Sequence, residues 1–180
     1  HLLEQPMAAA IGAGLPINEP IANMVVDVGG GTAETALISL GGIVSLRAVR
    51  VGSFDLDAAI ITYIRREYGI AIGEQTAEEI KIAIGSAHWT PEEYRAEVRG
   101  RELLSGLPKT IVLSPEEVRD AIAEPVSTIV DSVVSCLGEA PPELAQDLIS
   151  QGIHLVGGGA MLRGLDVRLT KATAVPVQLV

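Results

Sequence analysis

The sequence predicts an α/β fold with a mixed sheet and flanking helices, and three observations carry that expectation. The apolar run Met24 to Val28, interrupted only by Asp27, is a strand buried on both faces that ends in Gly29-Gly30-Gly31. Two further strand-like runs follow, Thr35 to Leu40 and Ile43 to Val49, separated by Gly41-Gly42, which makes a meander. Apolar residues at helical spacing then recur after the meander and again beyond residue 114.

The first glycine cluster leads into a strand, whereas dinucleotide-binding and P-loop glycines lead into a helix. An anion at this turn would rest on hairpin amides. Successive N–H groups of Gly30, Gly31 and Thr32 form a concave anion site, with the Thr32 hydroxyl as a further donor and Asp27 near enough to hold Mg²⁺ through water. A purely structural turn is the other reading of a glycine cluster by itself.

Composition sets the class. The chain has 180 residues, 48% of them apolar, enough for a real core in one domain or two small lobes. A net charge of −10 argues against a nucleic-acid partner and against polybasic membrane contact. Cys136, the single cysteine, packs on an expected helix and permits no disulfide framework, which suits a reducing compartment. No apolar run reaches the length of a membrane span and no signal peptide is visible. The opening at His1, without Met and inside apparent structure, suggests a piece of a longer chain.

In chain order, His1 to Leu15 holds Glu4-Gln5-Pro6 followed by Met7 to Gly14, a small-residue helix with Pro6 near its start and glycine at its end, and Pro16 to Pro20 links it to the meander. Phe54 to Tyr68 is a helix with Arg65 and Arg66 toward its carboxyl end. Thr76 and Glu79 fit a capping box opening a helix to Gly85. Tyr94 to Val98 alternates as an edge-like strand that pairs with Thr110 to Leu113, and Glu92-Glu93 is a solvated acidic face. Ser114 and Glu117 form a second capping box starting a long helix that Pro125 kinks or breaks. Pro142 restarts a short helix ending at Gly152. Ile153 to Val156 is a buried strand, Gly157-Gly158-Gly159 turns into a helix from Met161 to Lys171, and Val175 to Val180 is a last strand. These second glycines offer amides to a phosphate or a close seat for a flat base. His88, with no second ligand at metal-binding spacing, is a surface residue.

Asp27-Val28-Gly29-Gly30-Gly31-Thr32 with Glu34, Thr76-Ala77-Glu78-Glu79-Ile80-Lys81-Ile82, Pro141-Pro142-Glu143-Leu144 and the run Gly157 to Asp166 closely resemble the MreB/Mbl family of bacterial actin homologues, in matching order along nearly the whole chain. The resemblance implies the actin-like (ribonuclease H-like) ATPase fold, of which this chain matches the second half. It divides the chain into a connecting helix (1–19), a core subdomain (20–66 and 115–180) and a small α+β inserted outer subdomain (67–114) used in filament contacts.

The resemblance also assigns a site for ATP and Mg²⁺. Gly29, Gly30, Gly31 and Thr32 would form the phosphate hairpin, with Thr32 also catalytic, and Asp27 would hold Mg²⁺ through water. Glu78 and Lys81, with Glu79 and Ile80 on the same helix, would meet the ribose. Gly158, Gly159, Ala160 and Met161 would line the adenosine pocket. The family's water-polarising glutamate is replaced here by Gln5, which can orient water but cannot take its proton; general-base catalysis is worth about 10²–10⁴-fold. The family's first half and its closing helix after Val180 are not in this sequence, and phosphoryl transfer depends on both walls of a cleft.

The function implied is an ATP-binding cytoskeletal protein in the cytoplasm, whose filaments meet the membrane indirectly and guide cell shape and peptidoglycan synthesis. Its partners would be further copies or MreB-type filaments and the cell-wall elongation machinery. The alternatives are a truncated, non-hydrolysing paralogue docking on full-length filaments, and a sugar kinase of the same superfold, for which no matching sugar-binding insert or catalytic aspartate is present.

Overall fold

A computed structural model describes residues 2–91 and 94–180. The acidic face expected at Glu92-Glu93 lies outside the described residues. A five-stranded sheet has the order β3-β2-β1-β7-β8. Its members are β1 (Asn23–Val28), β2 (Ala33–Ser39), β3 (Gly42–Val49), β7 (Ile153–Val156) and β8 (Val177–Leu179). The meander β1-β2-β3 is antiparallel, while β7 lies parallel to both β1 and β8, so the sheet is mixed.

One face carries Met24, Val26, Val28, Leu37, Ile153 and Leu155 into the main core, against helices α2 (Ser53–Tyr68) and α5 (Ala123–Gly138). On the other face Val25, Ala36 and Ile38 pack on Met7 and Ala10 of α1 (Gln5–Gly12). Alternate residues of β1 thus face opposite cores, which is why the strand shows no polar periodicity. Cys136 is buried in α5 beside Ser45 and the Thr35 carbonyl, and burial pushes its thiol pKa up.

The β2-β3 turn places Leu40 and Gly41 at φ 50° and 73°, the backbone that a two-residue type I′ turn demands. Leu40 is ill suited to it, and the loop before β1 holds it there: Leu40 N–H donates to Glu19 O at 3.1 Å and Gly41 N–H to Ile17 O at 2.7 Å.

A second, three-stranded sheet has the order β4-β5-β6, from β4 (Ile70–Ala71), β5 (Ala96–Glu102) and β6 (Pro108–Leu113). The strand expected at an edge, β5, is central, because Ile70 and Ala71 pair with Glu102 and Arg101. Those two residues are too short a run to announce a strand. Ile70, Ile80, Val98, Ile111 and Leu113 join the same buried cluster as Met24 and Leu56, so the core is continuous between the two sheets.

Helix boundaries bring two corrections. The helix predicted from Thr76 starts earlier, as α3 (Glu74–Ile84) with Gly73 at its N-cap. Thr76 lies inside the helix, and Glu79 accepts from Gln75 Nε2 at 3.2 Å, one turn away. Gly157 to Gly159 do not open an α-helix. A 3₁₀ turn spans Gly158–Met161, and α7 (Leu165–Thr173) begins only after Gly164.

The Ser114 capping box is present: Ser114 N–H donates to Glu117 Oε2 at 2.9 Å, and Glu117 N–H to Ser114 Oγ at 3.3 Å. The long helix that it starts is two, α4 (Pro115–Ala121) and α5, bent by 59°. The break falls one turn before Pro125, where a proline ring displaces the carbonyl four residues back. No single helix among the described residues is long and apolar enough to cross a membrane. Pro142–Gln151 is α6, ended by Gly152 as expected.

Candidate functional site

Two glycine turns leave the sheet side by side. Strands β1 and β7 are adjacent and parallel, so the turns Gly29 to Thr32 and Gly157 to Gly159 emerge at the same end, outside the carboxyl ends of the strands where α/β sheets bind ligands. Glycine is required where they meet. A Cβ on Gly157, at φ 92°, would stand 2.5 Å from Asp27 Oδ1, and one on Gly159 would stand 2.5 Å from Val28 Cγ1.

The first turn is fixed by its carbonyls. Gly29 O accepts from Ser53 N–H at 3.0 Å and Gly30 O from Phe54 N–H at 2.8 Å, so the hairpin is tied to the first turn of α2. In a trans peptide the N–H points opposite to the C=O, so these bonds turn the N–H groups of Gly30 and Gly31 away from α2. No backbone hydrogen bond among the described residues uses the N–H of Gly30, Gly31 or Thr32. Gly31 is exposed, and a Cβ there would meet nothing within 4 Å. A concave anion seat needs this combination of unspent amides and open space. The Phe54 ring lies over Gly30.

Asp27, at the end of β1, accepts through Oδ2 from Gln5 Nε2 at 2.9 Å. One of the two N–H groups of Gln5 Nε2 is used in this bond, and the side-chain carbonyl oxygen is the atom that can accept from water. Among the described residues no group of three or more His, Cys, Asp or Glu surrounds a common point. With a single carboxylate here, a divalent ion fits as a water-mediated partner of Asp27 and a phosphate. His88 lies 2.8 Å from Lys171 Nζ, away from any ligand set.

Beside the turns is a cavity of about 310 Å³, lined from α2 by Ser53 and Leu56, from α3 and its C-cap by Glu78, Lys81, Ile82 and Gly85, and from the second turn by Gly158, Gly159 and Met161. Positions 78, 81, 82 and 85 form one helical face. Glu79 and Ile80, grouped with them in the sequence, point elsewhere: Glu79 lies toward β5 and Ile80 is buried in the core. Ala160 is likewise buried outside the cavity lining. Ser53, Leu56, Ile82 and Gly85 were missed, although the 3.6-residue period that places Glu78 and Lys81 together also includes Ile82 and Gly85.

Arg163 secures the far end. It donates to the Ile82 and Ala83 carbonyls at 3.2 and 2.9 Å, and its own carbonyl accepts from Ala87 N–H at 2.7 Å. Within the wall, Lys81 Nζ donates to Asp57 Oδ2 at 2.9 Å and to Ser53 O at 3.2 Å. It also lies 2.8 Å from Asp57 Oδ1, close enough for ion pairing but without hydrogen-bond alignment. Burial pushes the Asp57 carboxyl above its ordinary pKa, opposed by Lys81 and reinforced by Glu78 and Glu74.

The chain matches the sequence profile of the MreB/Mbl protein family over residues 1–180. It is 52% identical over 176 residues to the cell shape-determining protein MreB of Escherichia coli strain K12, covering 98% of this chain and 51% of that protein. It is 44% identical over 177 residues to the cell shape-determining protein Mbl of Bacillus subtilis, covering 98% and 53%. The chain belongs to the MreB/Mbl family.

The crystal structure of the family member MreB5 of Spiroplasma citri bound to ADP superposes with a TM-score of 0.94 at 40% identity, over 98% of this chain and 54% of that one. The family is that of the actin-like, cell shape-determining proteins, and the fold is the actin-like ATPase fold. The chain spans about half the length of the curated relatives it matches.

Proposed function

We propose that this chain forms one wall of the nucleotide cleft of an MreB-type cytoskeletal protein that binds ATP and assembles with further copies into filaments. The observation that carries this reading is the pair of adjacent glycine turns, with the unspent N–H groups of Gly30, Gly31 and Thr32 beside the cavity lined by Glu78 and Gly158. In it the hairpin amides and the Thr32 hydroxyl hold phosphate oxygens, Glu78 accepts from the ribose, and Gly158 and Gly159 seat the base. Asp27 would hold Mg²⁺ through water, and the ion would supply neutralisation of phosphate charge. The family relationship and the ADP-bound relative support it. Filaments guiding cell shape and peptidoglycan synthesis, in the cytoplasm and meeting the membrane indirectly, complete the proposal, with the cell-wall elongation machinery as partner.

Titration with Mg-ATP, followed by amide chemical shifts, tests it. Shifts concentrated at Gly30, Gly31, Thr32, Glu78 and Gly158 are expected; shifts elsewhere, or none, refute the reading.

A second reading is favoured by Gln5, whose amide donates to Asp27 and can orient water without deprotonating it: a non-hydrolysing module docking on full-length filaments. Gln5→Glu separates the two. Under the ATPase reading it raises turnover in the assembled protein, and under the module reading it leaves turnover at background.

A further inference from the structure

Ser53 stands where the two parts of the site join. Its N–H donates to Gly29 O at 3.0 Å on the first glycine turn, and its carbonyl accepts from Lys81 Nζ at 3.2 Å on the α3 wall. Both backbone groups are used, so the residue is held from the hairpin side and from the wall side. It is half-buried and lines the cavity together with Glu78, Lys81, Gly158 and Gly159. Its hydroxyl makes no hydrogen bond among the described residues. Helix capping does not claim that hydroxyl either: the N-cap of α2 is Gly52, whose N–H donates to Asp55 Oδ2 at 2.8 Å. A free donor on a backbone already fixed at both ends is what a preorganised ligand contact requires.

We propose that the Ser53 hydroxyl is a further nucleotide-binding group, and that it donates to the phosphate attached directly to the ribose. On the nucleotide reading above, which this assignment needs, the base rests at Gly158 and Gly159, the ribose at Glu78 and Lys81, and the outer phosphates at the amides of Gly30, Gly31 and Thr32. The first phosphate then crosses from the wall to the hairpin, and Ser53 is the residue bonded to both. An ionised phosphate oxygen accepts and does not donate, so an alcohol can meet it as a charge-assisted donor. Lys81 gives two of its three N–H groups to Ser53 O and Asp57 Oδ2 and keeps the third for the sugar. Lys81 and Ser53 thus serve neighbouring groups of one ligand.

The test is a titration of the unaltered chain and of Ser53→Ala with adenosine, AMP, Mg-ADP and Mg-ATP, followed by amide chemical shifts. Ser53→Ala should weaken AMP, Mg-ADP and Mg-ATP alike, by about tenfold or more, the worth of one hydrogen bond to a charged group. Adenosine should stay within about twofold. Alanine keeps both backbone bonds of the position, so amide exchange at Ser53 and Phe54 and the urea midpoint should match those of the unaltered chain.

An equal loss for adenosine overturns the assignment, because it marks a contact to the sugar or base. A loss confined to Mg-ADP and Mg-ATP does so too, since it places the hydroxyl at the outer phosphates. A loss accompanied by faster exchange at Ser53 and Phe54 belongs to a displaced hairpin and likewise overturns it. Affinities equal to those of the unaltered chain refute the hydroxyl's role and leave the nucleotide reading standing. If the unaltered chain binds none of the four ligands, the nucleotide reading fails and the assignment fails with it.

Discussion

Gly52 offers the sharpest perturbation of the first glycine hairpin, because it lies outside the hairpin and makes close backbone contact with it. Its φ of −147° and ψ of −161° are extended values open to alanine, so Gly52→Ala acts through contact alone. The added methyl would lie 2.4 Å from Gly30 O, 2.6 Å from Gly30 C and 2.7 Å from Gly29 O. Ordinary contact needs at least 3.4 Å, so the hairpin and the first turn of α2 must part by about 1 Å.

That separation stretches the 3.0 Å bond from Ser53 N–H and the 2.8 Å bond from Phe54 N–H beyond hydrogen-bonding range. Overpacking costs about 1–3 kcal/mol and each lost backbone bond about 1 kcal/mol, giving about 3–5 kcal/mol in all. Against a typical domain stability of about 5–15 kcal/mol this is a large fraction. Urea unfolding measures it as a lowered midpoint at unchanged slope. Gly31→Ala is the control: its methyl meets open space, and its midpoint should move by no more than about 0.5 kcal/mol. A Gly52→Ala midpoint equal to that of the unaltered chain, with Ser53 and Phe54 amides still protected from exchange, would show that the hairpin is not held as described.

Gly158→Ala should leave the unfolding midpoint unchanged, since nothing lies within 4 Å of the added methyl. The same variant should weaken Mg-ATP binding by about tenfold in a titration if a base seats there. Leu40→Asn should raise stability by about 0.5–1 kcal/mol in the urea assay, because asparagine tolerates the positive φ of the type I′ turn and Leu40 is 70% exposed with little packing to lose. For Glu117, burial pushes the carboxyl pKa up, but the hydroxyls of Tyr68, Ser114 and Tyr63 and the Ser114 N–H outweigh it, and the net shift is downward. A depressed folded-state pKa contributes stability above the ordinary value of 4.5 that is lost as pH falls through the folded-state value. Glu117→Gln should therefore flatten the acid limb of a melting-temperature profile; an unchanged limb would refute the assignment.

Much of the fold was legible because its signals are local. Turn glycines, the Ser114 capping box, the break before Pro125 and the Pro142 and Gly152 limits of α6 each depend on a few neighbouring residues and on backbone sterics. Where the local signal was ambiguous, packing decided. Thr76 and Glu79 carry the spacing of a capping box, yet Gly73 is the residue with extended geometry at the helix start. The central position of β5 depends on a two-residue partner with no sequence signature.

The amino-acid sequence by itself determined the family, the meander and most of the helices, and it marked the two glycine turns as the candidate site, since motif and spacing survive without coordinates. The tertiary structure alone decided which amides are unspent, that Lys81 is bound to Asp57 and Ser53, and that Glu79, Ile80 and Ala160 lie away from the cavity. The reason is physical. A residue's type sets what it can bond, but its direction and its partners across 24 or 28 positions of chain are set by how the helices pack on the sheet.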